Sequence, residues 1–417
     1  MTEPSKSSLA DKLRSLGVRI GAADMHVKTN PKTNVPIQSV VEGRFVSTRQ
    51  GETFIAEQTW PPDYRHGLTP LRTSVPLLTM AQWAGDERLT DLPLETFAFL
   101  DTETSGLAGG TGTYAFLVGV GRFEGETFRL VQFFMRDPSE EAALLEGLMD
   151  FLAPCAALVT FNGKAFDAPL LVTRYSLHSL PVPFEDFAHL DLLPLARRLW
   201  RDRLPSRALK YLEENVLAAP RTVEEVPGYE IPYIYFDYLR TGDAAPLKGV
   251  FYHNAMDIVA LAALMNHMAS ILHAPFDGQV QHGLDFIALA KLFEDLGRVE
   301  EAARLYERGL EVGGSEADFG AAVQRLSALQ RRRGDLESAA TLWQKAAAEG
   351  HVYAHVELAK YYEHRRRDYA EALKLTHSAE ELVGLLDIPR YETRHWMEEL
   401  KHRRERLEDK LRRSRHE

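Results

Sequence analysis

The sequence predicts an α/β domain, a mixed sheet with helices on both faces, followed by an all-helical repeat domain. Between residues 96 and 275, short apolar runs bounded by turn residues alternate with helical patterns. This alternation is typical of a sheet covered by helices. After residue 280 the apolar residues keep a helical period and one turn motif recurs, which is typical of stacked helical repeats.

The chain before this sheet divides into two parts. Residues 1–40 are polar, with a stretch rich in Asn, Thr and Pro, and we expect them to be poorly ordered. Residues 41–95 begin with a hairpin whose turn lies at Gln50-Gly51. The proline-containing remainder is expected to wrap the following domain.

Residues 96–275 carry the alternating elements. The patterns predict strands at 96–100, 114–123, 127–135, 157–161 and 188–192, and helices at 139–152, 166–176, 195–200, 206–217 and 247–272. Residues 218–246 contain several prolines and are expected to be irregular. The order of strands and helices is the ribonuclease H-like arrangement.

The recurring turn predicts helical repeats. Its three copies begin at Gly297, Gly334 and Arg367, 37 and 33 residues apart, close to the ~34-residue period of tetratricopeptide repeats. Apolar helices precede and follow each copy, and three such units can bury a continuous core. We therefore expect tetratricopeptide-like repeats at 280–385 and a charged C-terminal helix at 386–417, with a generic helical bundle as the alternative.

Composition limits the class of protein. Of the 417 residues, 45% are hydrophobic and 26% charged, as in ordinary globular proteins. The single cysteine, Cys155, excludes an intramolecular disulfide framework and a cysteine-based zinc site. The polar N-terminus and the lack of an apolar run of 18 residues predict no signal peptide, no spanning helix and no membrane partner. We expect a cytoplasmic protein.

Net charge bears on the choice of partner. The value of −11 argues against nucleic acid, because phosphate binding favours basic surfaces. Arginine and lysine nevertheless concentrate between Ala196 and Lys210. That run is either a substrate-guiding surface or a solvated helix face.

Four acidic residues occur in three short motifs. Asp101 and Glu103 end an apolar strand, and their spacing places both carboxylates on one face. Asp167 follows Asn162-Gly163, and Asp257 follows His253-Asn254. Each acid alone could mark a solvated strand end or a helix cap. Brought together, the four would form an oxygen cage for two divalent cations, which supports attack of water on a phosphodiester.

These motifs resemble the three exonuclease motifs of the DEDD, or DnaQ-like, superfamily. Additional stretches resemble the YprB-type bacterial family, which couples a ribonuclease H-like exonuclease domain to tetratricopeptide repeats; they are residues 189–193, 196–200, 209–213, 226–232, 238–243 and 252–254. The resemblance implies a 3′–5′ exonuclease acting on single-stranded DNA or RNA 3′ ends. It implies two Mg²⁺ or Mn²⁺ ions, with the following ligands: Asp101, Glu103, Asp167 and Asp257.

The general base has two candidates. The superfamily uses a histidine five residues before the last aspartate or a tyrosine four before it, whereas here Tyr252 is five before Asp257 and His253 is four before. A residue four back lies on the same helix face as Asp257. We therefore favour His253 as the catalytic base, with Tyr252 kept as the second candidate. A histidine that only caps or packs is the remaining explanation.

Further residues are expected to contact substrate: Thr102, Thr104, Asn162, Lys164, Arg197, Arg198 and Arg207. Asp191, at a strand end, either orients groups around the metals or caps the next helix. The repeats imply a protein partner, because stacked repeats form extended binding surfaces. The competing hypothesis is a non-catalytic adaptor that binds nucleic acid or protein through its repeats.

Overall fold

The computed structural model describes residues 35–106, 112–222, 224–313, 316–385 and 389–414. The expectation for the first 34 residues lies outside these ranges.

A seven-stranded mixed sheet forms the centre of the first half of the described chain. Its strands are β1 (Arg44–Thr48), β2 (Gly51–Trp60), β5 (Phe97–Thr104), β6 (Ala115–Glu124), β7 (Thr127–Phe134), β8 (Ala157–Thr160) and β9 (Ala188–Asp191). A separate pair comprises β3 (Arg65–His66) and β4 (Thr69–Pro70). The large sheet has the order β1-β2-β7-β6-β5-β8-β9. The pairs β5–β8 and β8–β9 are parallel, and the other neighbours are antiparallel.

Strand β5 lies inside the sheet, between β6 and β8. Its first four residues, 97–100, are buried, because a strand covered on both faces exposes neither set of side chains. Pairing with β8 ends at Phe99↔Val159, whereas pairing with β6 continues to Thr104. The acidic end of β5 therefore extends beyond β8.

Eight helices accompany the sheets in the described part of residues 35–273. They are α1 (Leu78–Ala84), α2 (Arg88–Asp91), α3 (Glu141–Leu152), α4 (Asp167–Leu177), α5 (Leu192–Trp200), α6 (Leu209–Asn215), α7 (Ile231–Thr241) and α8 (Leu247–His273). Phe99 and Val159 of the sheet share one apolar cluster with α1, α5, α6 and α8. Leu100 and Leu158 share the other with α3, α4, α7 and the start of α8. Helices thus cover both faces of a mixed sheet.

The predicted strands and helices differ from these bounds by up to four residues, and the largest difference is the end of β5 at Thr104 instead of residue 100. The prediction of irregular structure throughout 218–246 is wrong, because α7 lies there. Pro232 occupies the first turn of α7, where a missing N–H breaks no helical hydrogen bond. Gly242 ends the helix with φ 74°.

Helix α8 is the longest element packed on the sheet. Among the described residues it is long and apolar enough, by length and composition alone, to cross a membrane, with a mean hydropathy of 1.6. However, 78% of that apolar window is buried inside the fold, as for the core helix of a folded domain. The expectation of no such helix counted unbroken apolar runs, which His253, Asn254 and Asp257 interrupt.

The C-terminal region is helical. Its helices are α9 (Gly283–Asp295), α10 (Val299–Val312), α11 (Glu316–Arg332), α12 (Leu336–Ala348), α13 (Val352–Tyr361), α14 (Tyr369–Leu385) and α15 (Arg390–Ser414). The three recurring turns share one backbone feature, a left-handed first residue: φ is 76° at Gly297, 83° at Gly334 and 56° at Arg367. Phe286, Leu289 and Phe293 of α9 belong to the same apolar cluster as α5 and α8, so one core joins this region to the sheet.

Candidate active site

The site begins with Asp101 and its neighbour on α8. Gly119 of β6 pairs with Asp101, and a Cβ on Gly119 would lie 2.1 Å from Asn254 Oδ1. Only glycine lets Asn254 approach the sheet here. Asn254 Nδ2 donates to Asp101 Oδ2 at 3.0 Å, while Gln132 Nε2 donates to Asn254 Oδ1 at 2.9 Å. Gln132 thereby turns the amide N–H₂ of Asn254 towards Asp101.

The loop after β8 positions Asp167. Asn162 has φ 69°, a conformation that asparagine tolerates better than most residues. Asp191 accepts the N–H groups of Asn162 at 2.7 Å and Lys164 at 3.2 Å, and it also accepts the N–H of Leu193 as the cap of α5. Asp191 thus braces the loop and caps a helix. Asp167 begins α4, and its Oδ1 accepts from Thr102 Oγ1 at 2.5 Å.

His253 and Asp257 face the acidic end of β5 from α8. His253 Nε2 lies 3.4 Å from Asp257 Oδ2 and 4.0 Å from Glu103 Oε1. One potential ligand atom from each of these three residues lies within 4.8 Å of the other two. Tyr252 makes a different contact, because its hydroxyl accepts the N–H of Thr222 at 3.1 Å. The imidazole, and not the phenol, therefore lies among the acids.

Arg221 is a central residue that the sequence analysis missed. Its guanidinium donates to Glu213 Oε2 at 2.6 Å, to Glu225 Oε1 at 3.0 Å and to Asp257 Oδ1. The Arg221 side chain is 2% exposed and that of Glu213 is fully buried. The only local signal was an arginine four residues before a glutamate, in a segment expected to be irregular.

Glu225 was missed as well. Its Oε1 accepts from His253 Nδ1 at 2.8 Å, in addition to Arg221. Its Oε2 is buried and has no hydrogen-bond partner among the described residues. Glu225 therefore holds the Nδ1 edge of the imidazole, which directs Nε2 towards Glu103 and Asp257.

The electrostatics show an excess of buried negative charge. Burial and the charges of Asp257, Glu103 and Asp167 raise the pKa of Asp101 well above its ordinary value. Burial also raises the pKa of Asp167, and raises that of Glu103 to about 8 despite the nearby His253. Burial alone would lower the pKa of His253, but the bond to Glu225 and the charges of Asp257 and Glu103 raise it to about 9. The carboxylates outnumber the cationic groups around them.

The donor set fits divalent cations. Mg²⁺ and Mn²⁺ prefer carboxylate oxygens, and Mn²⁺ also accepts imidazole. A buried carboxyl group with a raised pKa tends to keep its proton. A cation that replaces the proton stabilises the ionised carboxylate. The orphaned Glu225 Oε2 is a further buried oxygen in need of a donor or cation. Asp101, Glu103, Asp167 and Asp257 could hold such ions.

The expected substrate residues divide by location. Arg197 and Arg207 line a cleft of ≈ 420 Å³ beside Phe161 and Asn162. Arg198 points elsewhere, because it pairs with Asp295 of α9. Its position on α5 turns it towards the helical region, so it is a contact between the two regions.

The two remaining expected substrate residues lie closer to the acids in sequence. Thr104 Oγ1 donates to the backbone oxygen of Gly106 at 2.9 Å, which fixes the chain after Glu103. Lys164 is exposed on the loop before Asp167, and its N–H is held by Asp191. Because the residue is exposed, a phosphate could reach its ammonium group.

Comparison with known proteins identifies the family of the chain. Residues 98–269 match the RNase_H superfamily. The chain is 32% identical over 329 residues to the uncharacterized protein YprB of Bacillus subtilis (strain 168), covering 77% of this chain and 78% of that protein. A family B DNA polymerase from the hyperthermophilic archaeon Pyrobaculum calidifontis also matches, at 16% identity and TM-score 0.33, over 49% of this chain and 30% of the polymerase chain. A TM-score this low supports no conclusion about the present protein.

The RNase_H superfamily match indicates a hydrolase that acts on nucleic acids with divalent metals, in agreement with the acidic donor set. The match begins at the second residue of β5 and ends within α8, so it spans the described strands and helices that carry Asp101, Glu103, Asp167, His253 and Asp257. Identity of 32% over more than two thirds of YprB extends the relationship beyond this segment. The chain belongs to the family of YprB, and its residues 98–269 match the RNase_H superfamily.

Proposed function

We propose that the protein is a metal-dependent 3′–5′ exonuclease that hydrolyses phosphodiester bonds at the ends of single-stranded nucleic acid by a two-metal-ion mechanism. One observation carries the proposal: carboxylates from three separated motifs and an imidazole converge at the acidic end of β5. Their raised pKa values indicate a place prepared for positive charge.

The acidic residues have the role of ligands in this proposal. Asp101, Glu103, Asp167 and Asp257 would hold two Mg²⁺ or Mn²⁺ ions, which lower the pKa of water and offset the charge of the phosphate during in-line attack. Asn254 holds Asp101, and Thr102 holds Asp167, through the hydrogen bonds given above. These bonds fix the carboxylates before substrate arrives, which limits reorganisation during the reaction.

His253 accepts the proton of the attacking water. Glu225 binds Nδ1 at 2.8 Å, so that Nε2 is the nitrogen directed to the acids. The negative charges of Asp257 and Glu103 raise the pKa of His253 and favour its protonated form. Cations held by these two carboxylates would offset those charges, so that the imidazole is neutral and can serve as the base. Glu225 is a positioning residue, comparable in its role to a carboxylate that orients a catalytic histidine.

The cleft beside Asn162 suits a nucleotide. Arg197 and Arg207 could pair with phosphate, and Phe161 presents an aromatic side chain. The helical region suits a protein partner, because repeats form extended surfaces. The shared left-handed turns support tetratricopeptide-like repeats.

The test is hydrolysis of 5′-labelled single-stranded DNA and RNA with Mg²⁺ or Mn²⁺. The wild type should shorten the strands from the 3′ end and release mononucleotides. Asp101→Asn should abolish hydrolysis, while His253→Asn and Glu225→Ala should lower kcat by roughly 100-fold or more without a matching rise in KM. Glu311→Gln, an exposed acid on α10, is the matched control and should behave as wild type.

Two results would contradict the proposal. Wild-type protein that hydrolyses no strand with either ion would favour the adaptor hypothesis. Hydrolysis that survives Asp101→Asn would show that the acidic cluster is not the site of the reaction.

A further inference from the structure

Three aromatic side chains form an exposed stripe along α7 and the turn that precedes it. Tyr229 is 68% exposed, Tyr233 73% and Phe236 47%. Their spacings of four and three residues place them on one helix face. Ile231 and Tyr235 are buried in the core on the opposite side. The stripe therefore lies on the outer side of this segment, opposite the side that packs in the core.

Exposed aromatic rings at helical spacing need an explanation. Single exposed apolar residues are ordinary, but a contiguous exposed patch marks a binding surface. Two of the three rings are tyrosines, which offer a flat apolar face and a polar tip. The flat face of such a ring can stack on a nucleobase.

The stripe begins one residue after a glycine that lies beside the acidic cluster. Gly228, directly before Tyr229, lies so close to His253 that a Cβ on this glycine would be 3.9 Å from the imidazole Nε2. On the Asp167 side, Phe166 is 59% exposed. Exposed aromatic residues thus occur in both segments next to the acids, Tyr229 beside Gly228 and Phe166 beside Asp167.

The length of the stripe matches a short run of bases. Seven residues separate Tyr229 from Phe236, and a helical rise of 1.5 Å per residue makes this roughly 10 Å. Stacked bases rise about 3.4 Å each along a duplex strand, so a stacked strand would place about three bases along the stripe. Base–aromatic stacking is tolerant of sequence because every base has a π-face.

We propose that Tyr229, Tyr233 and Phe236 form a stacking platform for the bases of single-stranded nucleic acid on the Gly228 side of the acidic cluster. This inference rests on the proposed function for its choice of partner. It adds a binding surface distinct from the arginine-lined cleft beside Asn162. The platform binds bases, whereas Arg197 and Arg207 are suited to phosphate.

The experiment measures the Kd of fluorescent single-stranded oligonucleotides for the full chain in EDTA, where metal-dependent hydrolysis is blocked. Tyr229→Ala and Tyr233→Ala should each weaken binding by roughly 5- to 100-fold, the range for losing one stacked base. Tyr233→Phe keeps the ring that stacks, so its Kd should stay close to that of wild type. Tyr391→Ala, equally exposed at 71% on α15, is the matched control and should leave Kd unchanged.

Abasic oligonucleotides separate stacking from other contacts. If the rings stack on bases, removing bases from the platform-bound positions should lower wild-type affinity and remove most of the effect of Tyr233→Ala. An equal effect of Tyr233→Ala on normal and abasic strands would overturn the proposal. So would unchanged Kd in all platform variants, which would favour a protein as the partner of this face.

Hydrolysis is measured in parallel so that the two proposals fail separately. Wild type that hydrolyses strands while the platform variants bind normally overturns only the platform. Wild type that binds strands through the platform without hydrolysing them overturns only the nuclease proposal. Wild type that neither binds nor hydrolyses single strands overturns both.

Discussion

Replacing Arg221 by methionine tests the charge balance of the site most directly. Methionine approximates the volume of the arginine stem, so the main change is loss of the guanidinium and its three carboxylate partners, Glu213, Glu225 and Asp257. Burial alone would lower the pKa of Arg221, but the surrounding carboxylates raise it. The charge is therefore permanent in the folded protein.

The magnitude follows from what each carboxylate retains. Removing one partner of a buried ion pair destabilises a protein by about 3–5 kcal/mol, because the other charge stays buried. Here Glu213 keeps His66 at 2.6 Å, and Glu225 keeps His253 at 2.8 Å. We therefore expect the lower end, about 3 kcal/mol of unfolding free energy. Arg221→Lys keeps the charge but cannot reach three acceptors in one plane, and should cost about half as much.

Denaturant unfolding followed by tryptophan fluorescence gives the free energy. Arg201→Ala is the matched control, because that side chain is 74% exposed and lies 3.5 Å from Asp202. Exposed pairs contribute about 0–1 kcal/mol. Added Mn²⁺ should restore more stability to Arg221→Met than to wild type, since the variant has one positive charge fewer beside Asp257.

The reasoning is refuted if Arg221→Met unfolds at the same denaturant concentration as wild type. It is also refuted if Arg201→Ala is equally destabilising. A variant that loses stability but gains nothing from Mn²⁺ would show that Asp257 does not contribute to a cation site.

Three further predictions concern stability. Burial, aided by Lys164, lowers the pKa of His189 from 6.5 to about 4, so the unfolded chain binds more protons than the folded protein between these pH values. The free energy of unfolding should therefore fall as pH drops from 6.5 towards 4, by about 2 kcal/mol near pH 4.5. In denaturant unfolding, His189→Asn should reduce this dependence on pH. The buried carboxylate of Glu363 pairs with Arg403, Arg406 and Lys410 of α15. Glu363→Ala should destabilise the docking of α15 by about 3 kcal/mol. Hydrogen exchange should become faster in α15 and change little in β5. Arg367 has φ 56° where the other two repeat turns have glycine; Arg367→Gly should raise the thermal stability of the helical region by about 0.5–1 kcal/mol, and a loss of stability would contradict the assigned strain.

Local pattern was sufficient for most of the elements. The run from Phe97 to Leu100 indicates a buried strand, and the apolar period after residue 247 indicates α8. Prediction failed at α7, because prolines were treated as breakers wherever they occurred. Pro232 lies in the first turn, the one helical position where proline is favoured, so that helix was missed.

Within one element, spacing also determines which site residues share a face. Asp101 and Glu103 follow from the two-residue period of a strand, and His253 and Asp257 from four residues of helix. The same four-residue spacing favoured His253 over Tyr252 as the residue nearest the acids. The structure places the imidazole of His253 there. Its role as a base stays a prediction.

By itself the sequence determined most strands and helices between residues 96 and 275 and the faces on which the acidic residues lie, because both follow from short-range periodicity. Only the tertiary structure decided that Arg221 and Glu225 reach Asp257 and His253, that Gly119 admits Asn254 beside Asp101, and that Arg198 turns to Asp295. These contacts join segments far apart in the chain. Which groups compensate a buried charge depends on how those segments pack and exclude water, and no local period carries that information.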